Sequence, residues 1–324
     1  MTCARERSRR LALKVDCDTY EGTKAGVPQL LRLLDRLGIR ASFFFTLGPD
    51  RSGRAITRVL THRGFLRKMI RSRAISLYGP KTALYGTLLP APDIGRRLAS
   101  TLRAVEAAGH EIGVHGWDHV RWHDRLNRMS EDQIARDYGL AHRAFERIFD
   151  RPARCAAAPG WHATATSLSV EERYGLCYAS NTRGGEPFFP KADNRQFTTL
   201  EIPTTLPTWD EMFNVPRFRV QQRLVDYYRT LVRGAEVHSI HTEVEGTALI
   251  DLFEQQLKCW QTDGVTFITL GDIASEISSG GAPIPVRRLI RTTLPGRAGE
   301  VTASTDEACT TCRRNDTVAD RPDG

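Results

Sequence analysis

Two short apolar runs, far apart in the chain, end in residues that belong in water. Leu11-Ala-Leu-Lys-Val runs into Asp16-Cys-Asp18, and the alternation around Ile112 and Val114 runs into His115, with His119 four residues on. Open α/β sheets and α/β barrels keep their chemistry at the C-terminal ends of buried strands, so both runs read as strands that deliver functional groups. Two imidazoles at i and i+4 converge on one ion if the chain turns helically after His115. A catalytic metal usually takes three protein ligands and keeps a position open, and the Asp16/Asp18 pair offers the carboxylate. Either pattern alone is common, on surfaces or in magnesium and phosphate sites. Two such strand ends in one chain are far more restrictive.

The rest of the sequence keeps a strand–helix rhythm. After a polar loop from Thr19 to Gly26, Val27, Leu30, Leu31, Leu34 and Leu37 mark an amphipathic helix, with Pro28 in its first turn and Gly38 at its end. Ile39 to Leu47, with three consecutive phenylalanines, reads as the next strand. Helices are predicted near 94–108, 130–149, 164–174, 217–233, 248–262 and 271–278. Ser130 and Gln133 are placed for a capping box on the second of these. Strands are predicted near 153–158, 176–180, 199–203, 235–241 and 265–270. About seven or eight βα units with no second core favour an α/β fold closed into a barrel over an open sheet.

Two stretches break the rhythm. Residues 51–92 form an insertion, and its segment 64–80 mixes arginines and lysine with Phe65, Leu66, Met69, Ile70, Ile75, Leu77 and Tyr78. A basic helix with an apolar face is suited to a membrane interface. After Gly280 a G-G-A-P-I-P linker leads to a short basic strand over 286–294. Residues 295–324 are rich in Thr, Asp, Arg and Gly and read as a disordered polar tail. The organisation expected is an extension over 1–10, a barrel over 11–294 and that tail.

The 324 residues carry a net charge of +8, mostly from arginine, which suits contact with phosphate groups. The basic residues are spread along the chain and no nucleic-acid motif is visible, so nucleic acid is not an expected partner. The seven cysteines, at 3, 17, 155, 177, 259, 309 and 312, form no disulfide framework. Cys17, Cys155 and Cys177 read as strand residues, and Cys309-x-x-Cys312 stands alone in the polar tail. No apolar core of a signal peptide precedes Leu11, and no window approaches the roughly 18 apolar residues of a membrane span. The expected location is the cytoplasm, with peripheral contact to a membrane left open.

The stretches V-D-C-D-T-Y-E-G-T (15–23), H-G-W-D-H (115–119), A-A-A-P-G-W (156–161), L-P-T-W-D-E (206–211) and S-I-H-T-E-V-E-G (239–246) together resemble the polysaccharide deacetylase, or NodB-homology, family. A-S-F-F-F-T-L-G-P-D (41–50) and S-L-Y-G (76–79) add to the likeness, which spans roughly residues 10 to 295. L-P-T-W-D-E and I-H-T-E-V-E-G are similar to those of its deformylases acting on 4-deoxy-4-formamido-L-arabinose carried by undecaprenyl phosphate. The resemblance implies a distorted (β/α)7 barrel and hydrolysis of an N-acyl amino sugar with a divalent zinc, cobalt or manganese ion. It implies Asp18, His115 and His119 as metal ligands, Asp16 as general base and His241 as general acid. Gly160 and Trp161 would lie by the oxyanion, with Arg183 and Trp209 near the substrate. The implied partner is the polyprenyl-phosphate formamido sugar at a membrane surface, within the modification of lipid A that confers resistance to cationic peptides.

The chain departs from the family pattern twice. The family's arginine before the proline motif, which orients the catalytic aspartate, is absent from A-A-A-P-G-W, so Arg154 or Arg183 would have to replace it. Where the family often has an aspartate behind the acid histidine, N-T-R-G offers Asn181. Two other readings stay open: a deacetylase acting on another carbohydrate, and a sugar-lipid binding protein without turnover.

Overall fold

The structure is a computed structural model that describes residues 9–55, 81–213, 215–297 and 299–305. The segment 64–80, expected at a membrane interface, and the Cys309-x-x-Cys312 pair lie outside the described residues. In chain order the strands are β1 (Arg10–Cys17), β2 (Ser42–Phe45), β3 (Glu111–Val114), β4 (Cys155–Ala156), β5 (Tyr178–Ala179), β6 (Phe189–Ala192), β7 (Arg195–Gln196), β8 (Leu200–Glu201), β9 (Ala235–His241), β10 (Thr266–Ile268), β11 (Val286–Thr293) and β12 (Glu300–Ser304).

β1 is the hub. After Arg10 every residue of it is buried, as a strand covered on both faces requires. One edge pairs in parallel with β9, from Arg10↔Ala235 to Asp16↔His241. The other edge is shared, with β10 taking Arg10 to Ala12 and β2 taking Lys14 to Cys17. From β2 the sheet continues through β3, β4, β5 and β8, every pair parallel. Beyond β8 the chain returns to β9, where Thr205 and Leu206 N–H groups both donate to the Val237 carbonyl at 3.0 Å. The curled parallel sheet with helices packed on it is the distorted α/β barrel that the sequence predicts. Phe43, Phe44 and Phe45 have no exposure, and each contributes roughly 1.5–3 kcal/mol by leaving water, which fixes a strand of only four residues.

The first helix starts earlier than its apolar periodicity predicts. It spans Tyr20–Leu37, Thr19 caps it by accepting from the Gly22 N–H, and Pro28 lies inside it rather than in its first turn. The stretch expected to be a polar loop is small rather than apolar because the helix crosses close to the turn after β9. A Cβ on Gly26 would sit 2.2 Å from the Thr242 carbonyl oxygen, and one on Gly22 would meet the Glu243 side chain. The helix Glu131–Phe149 begins at Ser130 with the predicted Gln133 capping box. Cys17 and Cys155 are buried, whereas Cys177 lies outside β5 and is exposed.

The predicted strand at 286–294 is present as β11, paired with β6 in parallel and with β12 in antiparallel fashion. β12 corrects the reading of everything after 295 as disordered. Its sequence is polar, but a strand needs an apolar residue only at every second position. Val301 and Ala303 fill that face, and Val301 packs with Leu294 on Trp161, a partner far away in sequence.

Candidate metal centre

β1 and β3 end side by side on β2, which brings Asp18 against the histidines. The His115 N–H donates to the Phe45 carbonyl at 2.8 Å and so continues the β3 pattern by one residue. Gly116 then takes φ +97°, a turn open to glycine, and Asp118 caps the helix His119–Arg125 by accepting from the Arg121 N–H at 2.9 Å. Arg51 pairs with the same carboxylate. This fixed turn carries His119 back to face His115, with ring centroids 5.5 Å apart. His115 Nε2 stands 3.1 Å from Asp18 Oδ1 and His119 Nε2 stands 3.4 Å from Asp18 Oδ2.

The three donor atoms lie within 4.8 Å of one another. Two imidazole nitrogens and one carboxylate oxygen suit a borderline divalent ion, and the partial exposure of Asp18 and His119 leaves room for a further ligand. Burial, the largest influence, pushes His119 down to about 4 against the pull of Asp18, so the ring is the neutral form that metal ligation requires. Burial alone would raise the Asp18 carboxyl, but the imidazoles of His119 and His115 against it and the His241 imidazolium beyond them hold it well below the usual range.

Asp16 and His241 face each other across the β1–β9 register. Asp16 Oδ2 accepts from Ser239 Oγ at 2.8 Å and lies 3.3 Å from Lys14 Nζ. Asp16 Oδ1 has no hydrogen-bond partner among the described residues and points toward His115 Nδ1, 3.8 Å away. His241 has Asp210 behind it, Nδ1 to Oδ1 4.0 Å, and the Trp161 ring edge-on at 6.4 Å. Burial would lower its pKa, but Asp210, Asp18, Asp16 and Glu245 together raise it to about 9. The ring is therefore an imidazolium at neutral pH. Burial would likewise raise Asp210, and His241 and Arg297 outweigh it and hold the carboxylate ionised.

A family model described as polysaccharide deacetylase matches residues 5–179. The chain belongs to the polysaccharide deacetylase family. A protein of Shewanella sediminis that carries the name 4-deoxy-4-formamido-L-arabinose-phosphoundecaprenol deformylase ArnD is 34% identical over 90% of this chain and 93% of its own. A Wigglesworthia glossinidia brevipalpis protein of the same name is 33% identical over 86% and 96%. The fold is also that of a polysaccharide-deacetylase crystal structure from Mycobacterium smegmatis, with a TM-score of 0.60 at 16% identity over 91% of this chain and 98% of that one. As a polysaccharide deacetylase-family member the chain is a hydrolase of amide bonds.

The structure gathers Asp16, Asp18, His115, His119 and His241 at one end of this deacetylase barrel, and it redistributes the supporting residues. Asn181 does not stand behind His241. Its side chain donates to both oxygens of Glu171 at 3.0 Å, in a separate polar cluster. Asp210 takes that place, on the cleft side of a turn whose other member, Trp209, is wholly buried against Phe213, Tyr228 and Phe253. Trp209 is thus a core residue, its size being satisfied by aromatic packing. Arg183 is also buried, bound to Glu211 at 2.7 Å and to the Leu206 carbonyl at 3.0 Å, with its guanidinium over the Trp161 ring. Arg154 is exposed beside Cys177. The cation beside Asp16 is Lys14.

Gly160 and Trp161 adopt φ +64° and +56°, which turns the indole toward the cleft. The Trp161 N–H, expected to face an oxyanion, donates within its own turn to the Ala158 carbonyl at 3.2 Å. Lys14, Ser239 and Asp210 escaped the sequence reading. The period of two was the available signal for the first pair, since Lys14 precedes Asp16, and Ser239 precedes His241, on the same face of its strand.

Proposed function

We propose that this chain is a metal-dependent deformylase. It hydrolyses the formamide of 4-deoxy-4-formamido-L-arabinose linked to undecaprenyl phosphate and releases formate and the free amine. The observation that carries the reading is similarity at 34% identity along nearly the full length of both chains. The arrangement of base and acid about one candidate metal site supports it.

Asp18, His115 and His119 would hold the ion. A divalent ion there, whether zinc, cobalt or manganese, would lower the pKa of bound water and polarise the formyl oxygen. Asp16 takes the proton of the attacking water through Oδ1, the oxygen left without a partner. As the new C–O bond forms, the carbonyl electrons move to oxygen, and their return breaks the C–N bond. His241 gives its proton to the departing nitrogen, which is too poor a leaving group as an anion. Asp210 holds the imidazolium in place for that transfer, with the buried Trp161 ring edge-on to it.

The same reading places the enzyme against the cytoplasmic face of the membrane that carries its lipid. Leu88 is 82% exposed at a turn in the last part of the 51–92 insertion. That turn is tied to the metal end of the barrel by the Tyr85 hydroxyl, which donates to Glu21 at 2.5 Å. An apolar tip beside the site is suited to the lipid plane, and the arginine-rich surface to phosphate.

The test is formate release from formamido-arabinose polyprenyl phosphate with and without chelator. Chelator-sensitive formate is the expected result. A metal-loaded protein that releases acetate from an N-acetylated carbohydrate and no formate from this substrate would overturn the reading.

A further inference from the structure

Lys14 has no exposed surface, on a strand whose neighbours Leu11, Ala12, Leu13 and Val15 are all apolar. Burying an ammonium costs several kcal/mol in real proteins, whereas an apolar side chain of similar length would fill the space without that penalty. The lysine makes little local return on the cost. Its Nζ has no hydrogen-bond partner among the described residues, and its charged neighbour is the Asp16 carboxylate, 3.3 Å away. The remaining surroundings hold the ammonium in place: the Trp161 ring at 5.2 Å and the Phe44 ring at 5.9 Å.

The register explains the direction of approach. Lys14 pairs with Ser239 and Asp16 with His241, so Lys14 and Ser239 form the layer directly beneath the base and the acid. Both groups in that layer engage the same carboxylate oxygen, Oδ2. Oδ1 is left free on the side of His115. A carboxylate held by one oxygen from below cannot rotate to offer either oxygen at will.

We infer that Lys14 is a positioning residue for the hydrolysis: with Ser239 it clamps Asp16 Oδ2 so that Oδ1 alone is presented to the attacking water. The inference rests on the deformylase reading for its substrate, but not for its geometry. Misplacing a catalytic group by about 1 Å can cost on the order of 10²-fold in rate, which sets the scale of the effect.

The experiment is a double-mutant cycle on the full-length, zinc-loaded protein with Lys14→Met, Lys14→Arg, Asp16→Asn and Lys14→Met/Asp16→Asn, reading kcat and KM for formate release, zinc content and thermal midpoint. Lys14→Met should lower kcat by about 10²-fold with KM within about threefold and zinc retained. Lys14→Arg should recover most of the loss. In the Asp16→Asn background Lys14→Met should cost less than about threefold, because its target is already gone. Full additivity in that background, or zinc lost in proportion to kcat, would overturn the inference. If Lys14→Met does not fold, Lys14→Gln takes its place in the cycle. If the wild type releases no formate, the substrate reading fails, and crystal structures of the zinc-loaded wild type and Lys14→Met decide the geometry. A turned Asp16 carboxylate in the variant supports the clamp, and an unmoved one rejects it.

Discussion

At the ends of β1, β3 and β9, Asp16, Asp18 and Asp210 face Lys14, His115, His119 and His241. Beside the ends of β5 and β8, two fully buried acids, Glu171 at the end of the helix Ala165–Glu171 and Glu201 in β8, take their hydrogen bonds from hydroxyls and amides. The two clusters sit in one barrel and are both built on carboxyl groups, yet their protons are disposed oppositely. Opposing charge keeps Asp18 and Asp210 ionised despite burial. Burial, only partly offset by hydrogen bonds, pushes Glu171 up to about 7 and Glu201 up to about 8. Reactivity in this fold therefore follows from where cations meet carboxylates, not from burial of carboxylates alone.

The sharpest way to break the comparison is to remove the charges that define the first cluster. Asp18→Ala and His115→Ala should each lose bound metal and reduce formate release to background, measured by metal analysis and a coupled formate assay. Variants that keep one metal per chain would show that the ion is held elsewhere. Asp16→Asn is the next largest effect. It should retain metal and lose about 10²–10⁴-fold in kcat, the usual contribution of a general base. Wild-type turnover by Asp16→Asn would remove Asp16 from the reaction.

Much of the first cluster was legible because its ligands are close to strand ends, and strand ends are visible as apolar runs that stop. His115, His119 and the Asp16/Asp18 pair needed only that rule and the spacing of one helical turn, whereas the choice of Asp18 over Asp16 as the ligand came from the family resemblance. The supporting residues were less legible because their partners are far away in sequence. Asp210 meets His241 across thirty-one positions only after β8 has returned to β9, and nothing local in L-P-T-W-D-E says which of Trp209 and Asp210 faces the cleft. β12 was hidden for the same reason, its apolar face being completed by Trp161. Pro28 misled in a different way. It reads as a helix start, and the true start at Thr19 is concealed by small residues whose reason is the approach of Thr242 and Glu243.

A finer probe of the charged cluster is the pH profile. His241 must be protonated to act as acid, and its pKa is raised to about 9, so kcat should be maintained through neutral pH and fall as pH rises through about 9. Asp210→Asn removes the foremost charge that raises it. The descending limb should move down by about one to three pH units, as expected for loss of an opposite charge at this range. A limb that stays near 9 would show that Asp16, Asp18 and Glu245 suffice.

The smallest effect tests the second cluster, and it concerns stability rather than turnover. Glu171 and Glu201 have folded-state pKa values above the ordinary 4.5 of an unfolded glutamate. Between pH 4.5 and the folded values the native state binds more protons than the unfolded state, so stability must fall as pH rises. The term is fully favourable below pH 4.5 and is lost as pH passes 7 and then 8, a difference on the order of a few kcal/mol. Glutamine copies the protonated acid. In Glu201→Gln its carbonyl can still accept from the Asn181 and Thr182 N–H groups, and its amide takes the place of Oε2, which has no partner among the described residues. Glu171→Gln and Glu201→Gln should therefore match the wild type in urea unfolding at pH 5 and exceed it by about 1 kcal/mol or more at pH 8. Formate release should stay within about twofold, since neither carboxylate is among the groups that meet the metal ligands, the base or the acid. An unchanged pH slope would mean that the cluster is ionised after all, and that cations are not what separates the two clusters of this barrel.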